Sequence, residues 1–372
     1  MKDDAAIIFS DGLNEYDFGE GHPFRGNRYQ IFKKFLSENF SEERRYDLLE
    51  TERASDEELL KICSQEYIDF TRSYFNLKET QPEVTGSFSR FHSADNIPRE
   101  RHGKLEEAAR LIIGQAKLAC DLVSGGNYGK AISIGGGLHH AKPNYGEGFC
   151  IYNDVAFCGK YLLQEHHFSR ICIIDTDAHA GNGTCEYFYD NPKVLFIDLH
   201  QDPSTIYPGT GFTHETGKGL GRGYTINLPM PPYSDLETYE YVFDKIVEPV
   251  VNEFEPQIII RNGGSDPHYG DILTNLGLKL DGFHMIGRRI ANLSNICSGK
   301  VIDLIASGYN IDVLPYGWLA LIQGLLGYEI SVEEPSIDIP FPHSHNSLDN
   351  AIEMVNNVIE NLTSYWDCFS RD

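Results

Sequence analysis

The stretch Ile171–Thr184 opens with a short apolar run, and this run constrains the fold of the chain more than any other feature. Its length and its polar, glycine-rich flanks are typical of a buried strand in an α/β sheet, and such sheets place their sites beyond the carboxyl ends of strands. Asp177 and His179 follow the run, and in an extended segment they share one face with Asp175. Two carboxylates and an imidazole are costly to bury together unless a cation pairs with them, so the stretch favours a divalent metal site.

A polar turn capping a helix that begins near Gly183 would also explain this stretch, and for an isolated Asp-x-His pattern it is the commoner case. Further strands in the chain decide against it, because each ends in glycine followed by polar side chains. They are Ala131–Ile134 before His139 and His140, Gln257–Ile260 before Asp266, and Lys300–Ile305 before Tyr309. This repetition favours a functional site built from several strand ends.

Segments with helical apolar spacing, such as Lys104–Val123 and Leu236–Phe254, separate the predicted strands. Strands that alternate with helices predict an α/β fold with a mainly parallel central sheet, right-handed crossovers and flanking helices. The 372 residues would suffice for one large domain or two smaller ones. We find no break in composition, so we predict a single domain over residues 1–372.

Two adjacent histidines, His139 and His140, follow three glycines that would let the backbone approach a ligand closely. The glycine run is not a phosphate loop, because the Lys-Ser/Thr of that motif and the spacing of a dinucleotide fingerprint are both missing. The histidines could be structural, with one in a helix cap and one on the surface. Their place behind a strand and a glycine run favours general acid–base catalysis instead.

Composition excludes some partners and compartments. The net charge of −24 disfavours nucleic acid and favours cationic ligands. The eight cysteines form no C-x-x-C pair and no regular ladder, as expected for reduced thiols. The first residues lack an apolar signal core, and no stretch has the apolar length of a membrane span. We therefore expect a soluble cytoplasmic protein that binds neither nucleic acid nor membranes; its oligomeric state is open.

Taken in order, the motifs resemble those of the histone-deacetylase-like zinc amidohydrolases of the arginase/deacetylase superfamily, most closely the bacterial acetoin-utilization type. The resemblance covers nearly the whole chain. It rests on Gly-Gly-Gly-Leu-His-His, Asp-Thr-Asp-Ala-His, Gly-Gly-Ser-Asp and Ser-Gly-Tyr, together with His-Pro-Phe, Gly-Phe-Cys-Ile-Tyr-Asn-Asp, Tyr-Pro-Gly-Thr-Gly and Ser-Asp-Pro-His-Tyr-Gly-Asp. It implies a single-domain arginase-like α/β fold and a deacetylase.

The resemblance also implies one zinc ion bound by Asp177, His179 and Asp266, with Fe2+ as the alternative metal. Mixed nitrogen and oxygen ligands with an open position suit a hydrolytic zinc site. The metal would polarise the acetyl carbonyl and lower the pKa of its water from ~15.7 towards ~7.

By the same resemblance, His140 is the principal general base and acid, and His139 is its electrostatic neighbour. Asp175 would orient His139, and Asn182 would orient His140. Many relatives carry Asp in place of Asn182, and a neutral amide should stabilise an imidazolium less. Tyr309 matches the tyrosine that hydrogen-bonds the developing oxyanion. Most relatives have Gly-Gly-Tyr at this point, whereas this chain has Ser307 before Gly308 and Tyr309.

Four further residues match the substrate site of the family. Phe149, with Gly148 before it, and Tyr207 correspond to the walls of the acyl-lysine channel, although either aromatic ring could be an ordinary packing residue. Asp95 corresponds to a rim carboxylate that grips the substrate backbone. The substrate itself stays open between acetylated lysine in proteins or peptides and an acetylated small amine.

The family also binds K+ near the zinc strand. The matching oxygen donors are those of Asp175, Asp177, His179, Asp198 and Leu199. A second K+ site would map to Phe188, Asn191, Val194 and Tyr224.

Two rival functions need consideration. A ureohydrolase of the arginase type shares the fold but binds two metals, and it has a further Asp ligand two residues after Asp-Ala-His. Here that position is Gly181, which disfavours the second metal and guanidine hydrolysis. A non-catalytic module that binds acylated ligands is the other rival. The presence of the three metal ligands, His140 and Tyr309 favours an enzyme.

Overall fold

The computed structural model of the chain describes residues 5–40, 46–77, 86–337 and 346–370. Eight strands form one sheet in the order β2-β1-β3-β8-β7-β4-β5-β6. The strands are β1 Ala5–Ile8, β2 Tyr46–Leu49, β3 Lys130–Ile134, β4 Ile171–Asp175, β5 Val194–Gln201, β6 Thr225–Met230, β7 Ile258–Asn262 and β8 Val301–Ile305.

Helices connect these strands. The α-helices are α1 Asn27–Asn39, α2 Asp56–Leu59, α3 Gln65–Phe75, α4 Phe88–Phe91, α5 Leu105–Ser124, α6 Asp154–Gln164, α7 Asn182–Phe188, α8 Leu236–Val242, α9 Glu248–Phe254, α10 Leu280–Leu293, α11 Leu314–Leu326 and α12 Ser347–Leu362. Short 3-10 helices lie at Asp11–Glu15, Ala94–Asn96, Gly219–Gly221, Ser294–Cys297 and Asp367–Phe369. The predicted α/β class with a parallel central sheet and flanking helices is confirmed. No helix of the described residues combines the length and the apolar character that a membrane crossing requires.

The chain divides into two compact units. The first contains the described residues up to His167 together with Leu304–Ala306. In it β1 pairs in parallel with β2 and β3, and α5 packs on β3 and α6. The second contains Phe168–Asp303 and the described residues from Ser307 onward. The prediction of a single domain stays a prediction.

In the second unit β4 pairs in parallel with β5 and β7, and β6 pairs in parallel with β5. Every residue of β4, β5 and β7 is buried, and each strand begins with an apolar run, as is usual in a parallel sheet. The register places Asp175, the last residue of β4, beside Asp198 on β5 and Asn262 on β7. Three polar side chains therefore lie at one end of this part of the sheet.

The predicted helical segment Leu236–Phe254 has the predicted bounds but is not α-helical throughout. The predicted helix Leu236–Phe254 is divided into α8, a π-helical turn at Phe243–Val247 and α9. Pro249 stands in the first turn of α9. Proline has no N–H to donate to the preceding turn, and its ring crowds the carbonyl four residues earlier, so the regular α-helical bonding cannot continue through this point.

Candidate active site

Three buried side chains of the second unit converge beyond β4 and β7. Asp177 and His179 follow β4, and the chain leaving β7 turns at Gly263, whose φ of 129° suits glycine, to bring in Asp266. His179 Nδ1 lies 3.1 Å from Asp177 Oδ1 and 3.1 Å from Asp266 Oδ2. The parallel pairing of β4 with β7 thus brings together candidate metal ligands that are far apart in the sequence.

The electrostatics of this cluster fit a bound cation. Burial, and then the neighbouring Asp177 carboxylate, raise the pKa of Asp266 to about 8. Burial lowers the pKa of His179, but the two carboxylates outweigh it and raise that pKa to about 10. A pair of acids this deeply buried needs positive charge close by. One nitrogen and two carboxylate oxygens, within 4.8 Å of one another, form a donor set suited to zinc or iron(II).

Within the described parts of the chain, one group of three His, Cys, Asp or Glu side chains is close enough together to hold a metal. It consists of Asp177, His179 and Asp266. Gly181 has no side chain that could bind a metal. The expectation of one metal rather than the pair of a ureohydrolase stays a prediction.

Asp266 has a further contact that the sequence analysis did not anticipate. Ser307 Oγ donates a hydrogen bond of 2.7 Å to Asp266 Oδ1, the oxygen that does not face His179. The backbone N–H of Ala178 donates to the other oxygen, Oδ2, at 3.2 Å. The motif of the family that the sequence resembles has Gly-Gly-Tyr here, so Ser307 is a departure from it, but only the structure shows which group Ser307 contacts.

Tyr309 lies beside the same cluster. Its ring centroid is 6.1 Å from that of His179, and the two rings are nearly perpendicular at 87°. The Asp271 carboxylate accepts a 2.7 Å hydrogen bond from the backbone N–H of Tyr309. Gly308, with φ of 121°, makes the turn before Tyr309. Ser307 therefore does not move the tyrosine away from the predicted metal ligands.

Asp175 and Asp198, two of the predicted K+ donors, accept hydrogen bonds within the second unit. Asn262 Nδ2 donates to both oxygens of Asp175 at 2.9 Å. The backbone N–H of Gly181 donates to Asp198 Oδ2 at 2.9 Å. Leu199 follows Asp198 on β5. Nothing in these contacts tests K+ binding, so the first K+ site stays a prediction.

The remaining predicted residues of this unit lie in three places. Asn182 is the first residue of α7. Tyr207 is 43% exposed, so this ring is not an ordinary packing residue of the core. The predicted second K+ site falls around the loop between α7 and β5 and the start of β6. The backbone carbonyls of Phe188, Asn191 and Tyr224 there accept N–H bonds from Asn191, Val194 and Phe196. This site too stays a prediction.

In the first unit, β3 leads through its glycines to the histidine pair. His139 and His140 are both buried. Their Nε2 atoms lie 3.1 Å apart, a separation at which one ring donates and the other accepts. Two imidazolium rings could not make this contact because both nitrogens would be donors. A single proton can therefore lie between these two nitrogens; the role of the pair in acid–base catalysis stays a prediction.

Asn153 and Asp154 fix the backbone that carries the histidines. Asp154 is fully buried and accepts the N–H groups of Gly137 and Leu138, each at 2.7 Å. Burial outweighs these bonds and raises the pKa of Asp154 to about 6. Asn153 caps α6 and donates from Nδ2 to the carbonyls of His139 and Ala141, each at 3.0 Å. From the sequence alone this Asn-Asp pair had no assigned role. The signal that could have found it was an acid at the start of an apolar, buried helix.

The predicted residues Gly148 and Phe149 lie in a loop packed on His140. A Cβ at Gly148 would come within 2.3 Å of the His140 ring, so only glycine fits there. Asp95 Oδ2 accepts the backbone N–H of Gly148 at 2.9 Å. Phe149 has φ of 62°, and its ring meets that of His22 edge-on at 4.7 Å. Asp95 thus holds the loop that presents Phe149; contact of these residues with substrate stays a prediction.

Comparison with known proteins decides the family. The model of the histone deacetylase domain matches residues 22–325. The chain belongs to the histone deacetylase family. A protein of Archaeoglobus fulgidus described as a probable deacetylase is 35% identical over 372 residues, which cover 98% of this chain and 99% of that protein. The acetoin utilization protein AcuC of Staphylococcus xylosus is 34% identical over 332 residues, or 88% of this chain and 84% of that protein.

Staphylococcus aureus (strain COL) has an acetoin utilization protein AcuC that is 33% identical over 334 residues, covering 87% of this chain and 82% of that protein. The predicted resemblance to the histone deacetylase family is therefore confirmed. Membership makes this chain a hydrolase of the deacetylase class.

Proposed function

We propose that the protein is a zinc-dependent deacetylase that hydrolyses the amide of N-acetyl-lysine, or of a related acylated amine, to the free amine and acetate. The observation that carries the proposal is the buried cluster of Asp177, His179 and Asp266 with the Tyr309 ring beside it. The name of the archaeal relative supports the same chemistry.

Asp177, His179 and Asp266 would hold the metal, with zinc as the proposed ion and Fe2+ as the alternative. A bound zinc ion supplies Lewis acidity to a carbonyl oxygen and lowers the pKa of a coordinated water. Deprotonated carboxylates and a neutral imidazole are needed for this, so metal binding should release protons from the buried cluster.

In the proposed reaction a water oxygen attacks the acetyl carbon, and His140 takes up the proton that the water gives. Tyr309 donates its hydroxyl proton in a hydrogen bond to the carbonyl oxygen as negative charge develops there. The C–N bond then breaks, and His140 delivers its proton to the leaving amine nitrogen. The short contact of His140 with His139 supports such a role because the second ring can accept or donate as the first changes its protonation state.

Phe149 and Tyr207 are proposed to flank the aliphatic stem of the substrate. Gly148 is proposed to shape the loop that carries Phe149, and Asp95 is proposed to bind the backbone of a peptide substrate. Asp175 and Asn182 are proposed to orient the two imidazoles, and K+ is proposed at the donors predicted from the sequence. The net charge of −24 would attract a cationic peptide or amine.

A substrate panel tests the proposal. The assay compares zinc-loaded, iron(II)-loaded and chelator-treated protein. Its substrates are acetyl-lysine peptides, longer acyl-lysine peptides and N-acetylputrescine, and it measures the acetate or the longer carboxylic acid that each substrate releases. Activity should need metal and should be lost in Asp266→Asn. Asp312→Asn is the matched control, because it makes the same change at an exposed position close to Tyr309. Full activity in protein shown to contain no metal would refute the proposal; preferential hydrolysis of N-acetylputrescine would assign a polyamine substrate.

A further inference from the structure

The hydroxyl of Ser307 donates a hydrogen bond to Asp266, a side chain of the proposed metal site. Ser307 Oγ donates to Asp266 Oδ1 at 2.7 Å, and both residues are buried. The two oxygens of Asp266 are therefore used differently. Oδ1 accepts from Ser307, while Oδ2 faces His179 Nδ1 at 3.1 Å.

The backbone of Ser307 is held as firmly as its side chain. Its carbonyl accepts a 2.8 Å bond from Trp318 Nε1 and a 3.0 Å bond from the N–H of Ser265. Trp318 is a fully buried residue of α11, so the Ser307 carbonyl is anchored to a packed helix. The hydroxyl therefore starts from a fixed Cα and reaches Asp266 from a fixed direction.

We propose that Ser307 is a positioning residue that sets the orientation of the Asp266 carboxylate and thereby strengthens metal binding, an inference that rests on the proposed metal site. A carboxylate can rotate about its last bond and offer either oxygen, or both, to a cation. The Ser307 hydroxyl bonds Oδ1 and leaves Oδ2 directed at the cluster. Partners of this kind, which bond a ligand rather than the metal, typically change metal affinity about 10- to 100-fold when they are removed.

A purely structural explanation makes a different prediction. A buried hydroxyl needs a hydrogen-bond partner, and Asp266 Oδ1 would serve as one without any effect on the metal. In that case, removal of the hydroxyl would change the stability of the protein and leave its metal affinity unaltered. Metal affinity, rather than activity or stability, therefore separates the two explanations.

The experiment measures zinc affinity of the full chain by competition with a chromophoric chelator, and zinc release by stopped-flow trapping with excess chelator. Ser307→Ala should weaken zinc binding about 10-fold or more and speed zinc release. Ser307→Thr, which keeps the hydroxyl, should recover most of the affinity. Ser265→Ala is the matched control, because this neighbouring buried hydroxyl points at the Ser307 carbonyl and not at Asp266.

Circular dichroism of each metal-free variant checks that it is folded, and Ser307→Gly replaces Ser307→Ala if the latter is not. Equal zinc affinity, within twofold, of wild type and a folded variant lacking the hydroxyl would overturn the inference while leaving the proposed function intact. Wild-type protein that binds no zinc or iron(II) and has no metal-dependent activity would overturn both.

Discussion

Replacement of Asp154 by asparagine tests whether this buried acid holds the histidine pair in place. The carboxylate accepts the N–H groups of Gly137 and Leu138, each at 2.7 Å. An asparagine of the same shape has one oxygen, so one of these buried N–H groups would lose its acceptor and face an amide N–H instead. A buried donor left without an acceptor costs about 1–3 kcal/mol. Gly137 and Leu138 directly precede His139, so the imidazoles should shift with them.

The raised pKa of Asp154 makes the size of the expected loss of stability depend on pH. Between the ordinary carboxyl value of 3.8 and about 6, the folded protein keeps a proton on Asp154 that the unfolded chain has released. The contribution of this group to stability is therefore fully present below pH 3.8 and is lost as the pH rises to about 6. A shift of this size corresponds to about 3 kcal/mol, of which about 1.4 kcal/mol is lost between roughly pH 5 and 7.5.

The assay is urea denaturation of wild type and Asp154→Asn across this pH range. The asparagine variant lacks the titrating group, so its disadvantage in free energy of unfolding should be largest near pH 5 and should shrink by about 1.4 kcal/mol towards pH 7.5. Its kcat should fall by up to about 100-fold, the usual effect of displacing a catalytic group by about 1 Å. Asp69→Asn, an exposed helical acid of the same unit, is the control.

Two results would refute this reasoning. A stability difference that is constant from pH 5 to 7.5 would mean that Asp154 does not titrate there. A kcat equal to that of wild type at every pH would mean that the Gly137 turn does not control the imidazoles.

Three further predictions concern the second unit. Tyr309→Phe keeps the ring beside His179 and removes the hydroxyl alone, so kcat should fall by on the order of a hundredfold or more with little change in KM or zinc content; a kcat within a few-fold of wild type would show that another group stabilises the oxyanion. Active protein should contain one zinc ion per chain by elemental analysis, lose activity on prolonged chelation and be inhibited by hydroxamates, whereas a stoichiometric pair of transition metals would contradict the argument from Gly181. Gly308→Ala should lower the free energy of unfolding by about 1–3 kcal/mol, because φ is 121° and a Cβ would lie 2.0 Å from Ser265 Oγ; an unchanged urea midpoint would count against this account of the turn.

Much of the fold was predictable because its signals are local. The strand β4 begins with four apolar residues, and the length and flanks of this run identify the strand without knowledge of its neighbours. The strand β2 was not predicted, because two of its four residues are exposed and its sequence, Tyr-Asp-Leu-Leu, has no clear period. The π-helical turn at Phe243–Val247 was missed for another reason: an apolar helical period says little about how a chain accommodates proline.

The sequence by itself determined the chemical groups and the strand ends that carry them, since residue type, glycine runs and apolar runs can all be read along the chain. It did not determine which groups touch. Only tertiary structure decided that Asp266 meets His179, through the parallel pairing of β4 with β7. It also decided that Ser307 bonds Asp266 and that Asp154 holds the Gly137 turn. The physical reason is that hydrogen bonds act over about 3 Å, and separations of that size between distant parts of a chain are fixed by strand register and helix packing rather than by local sequence.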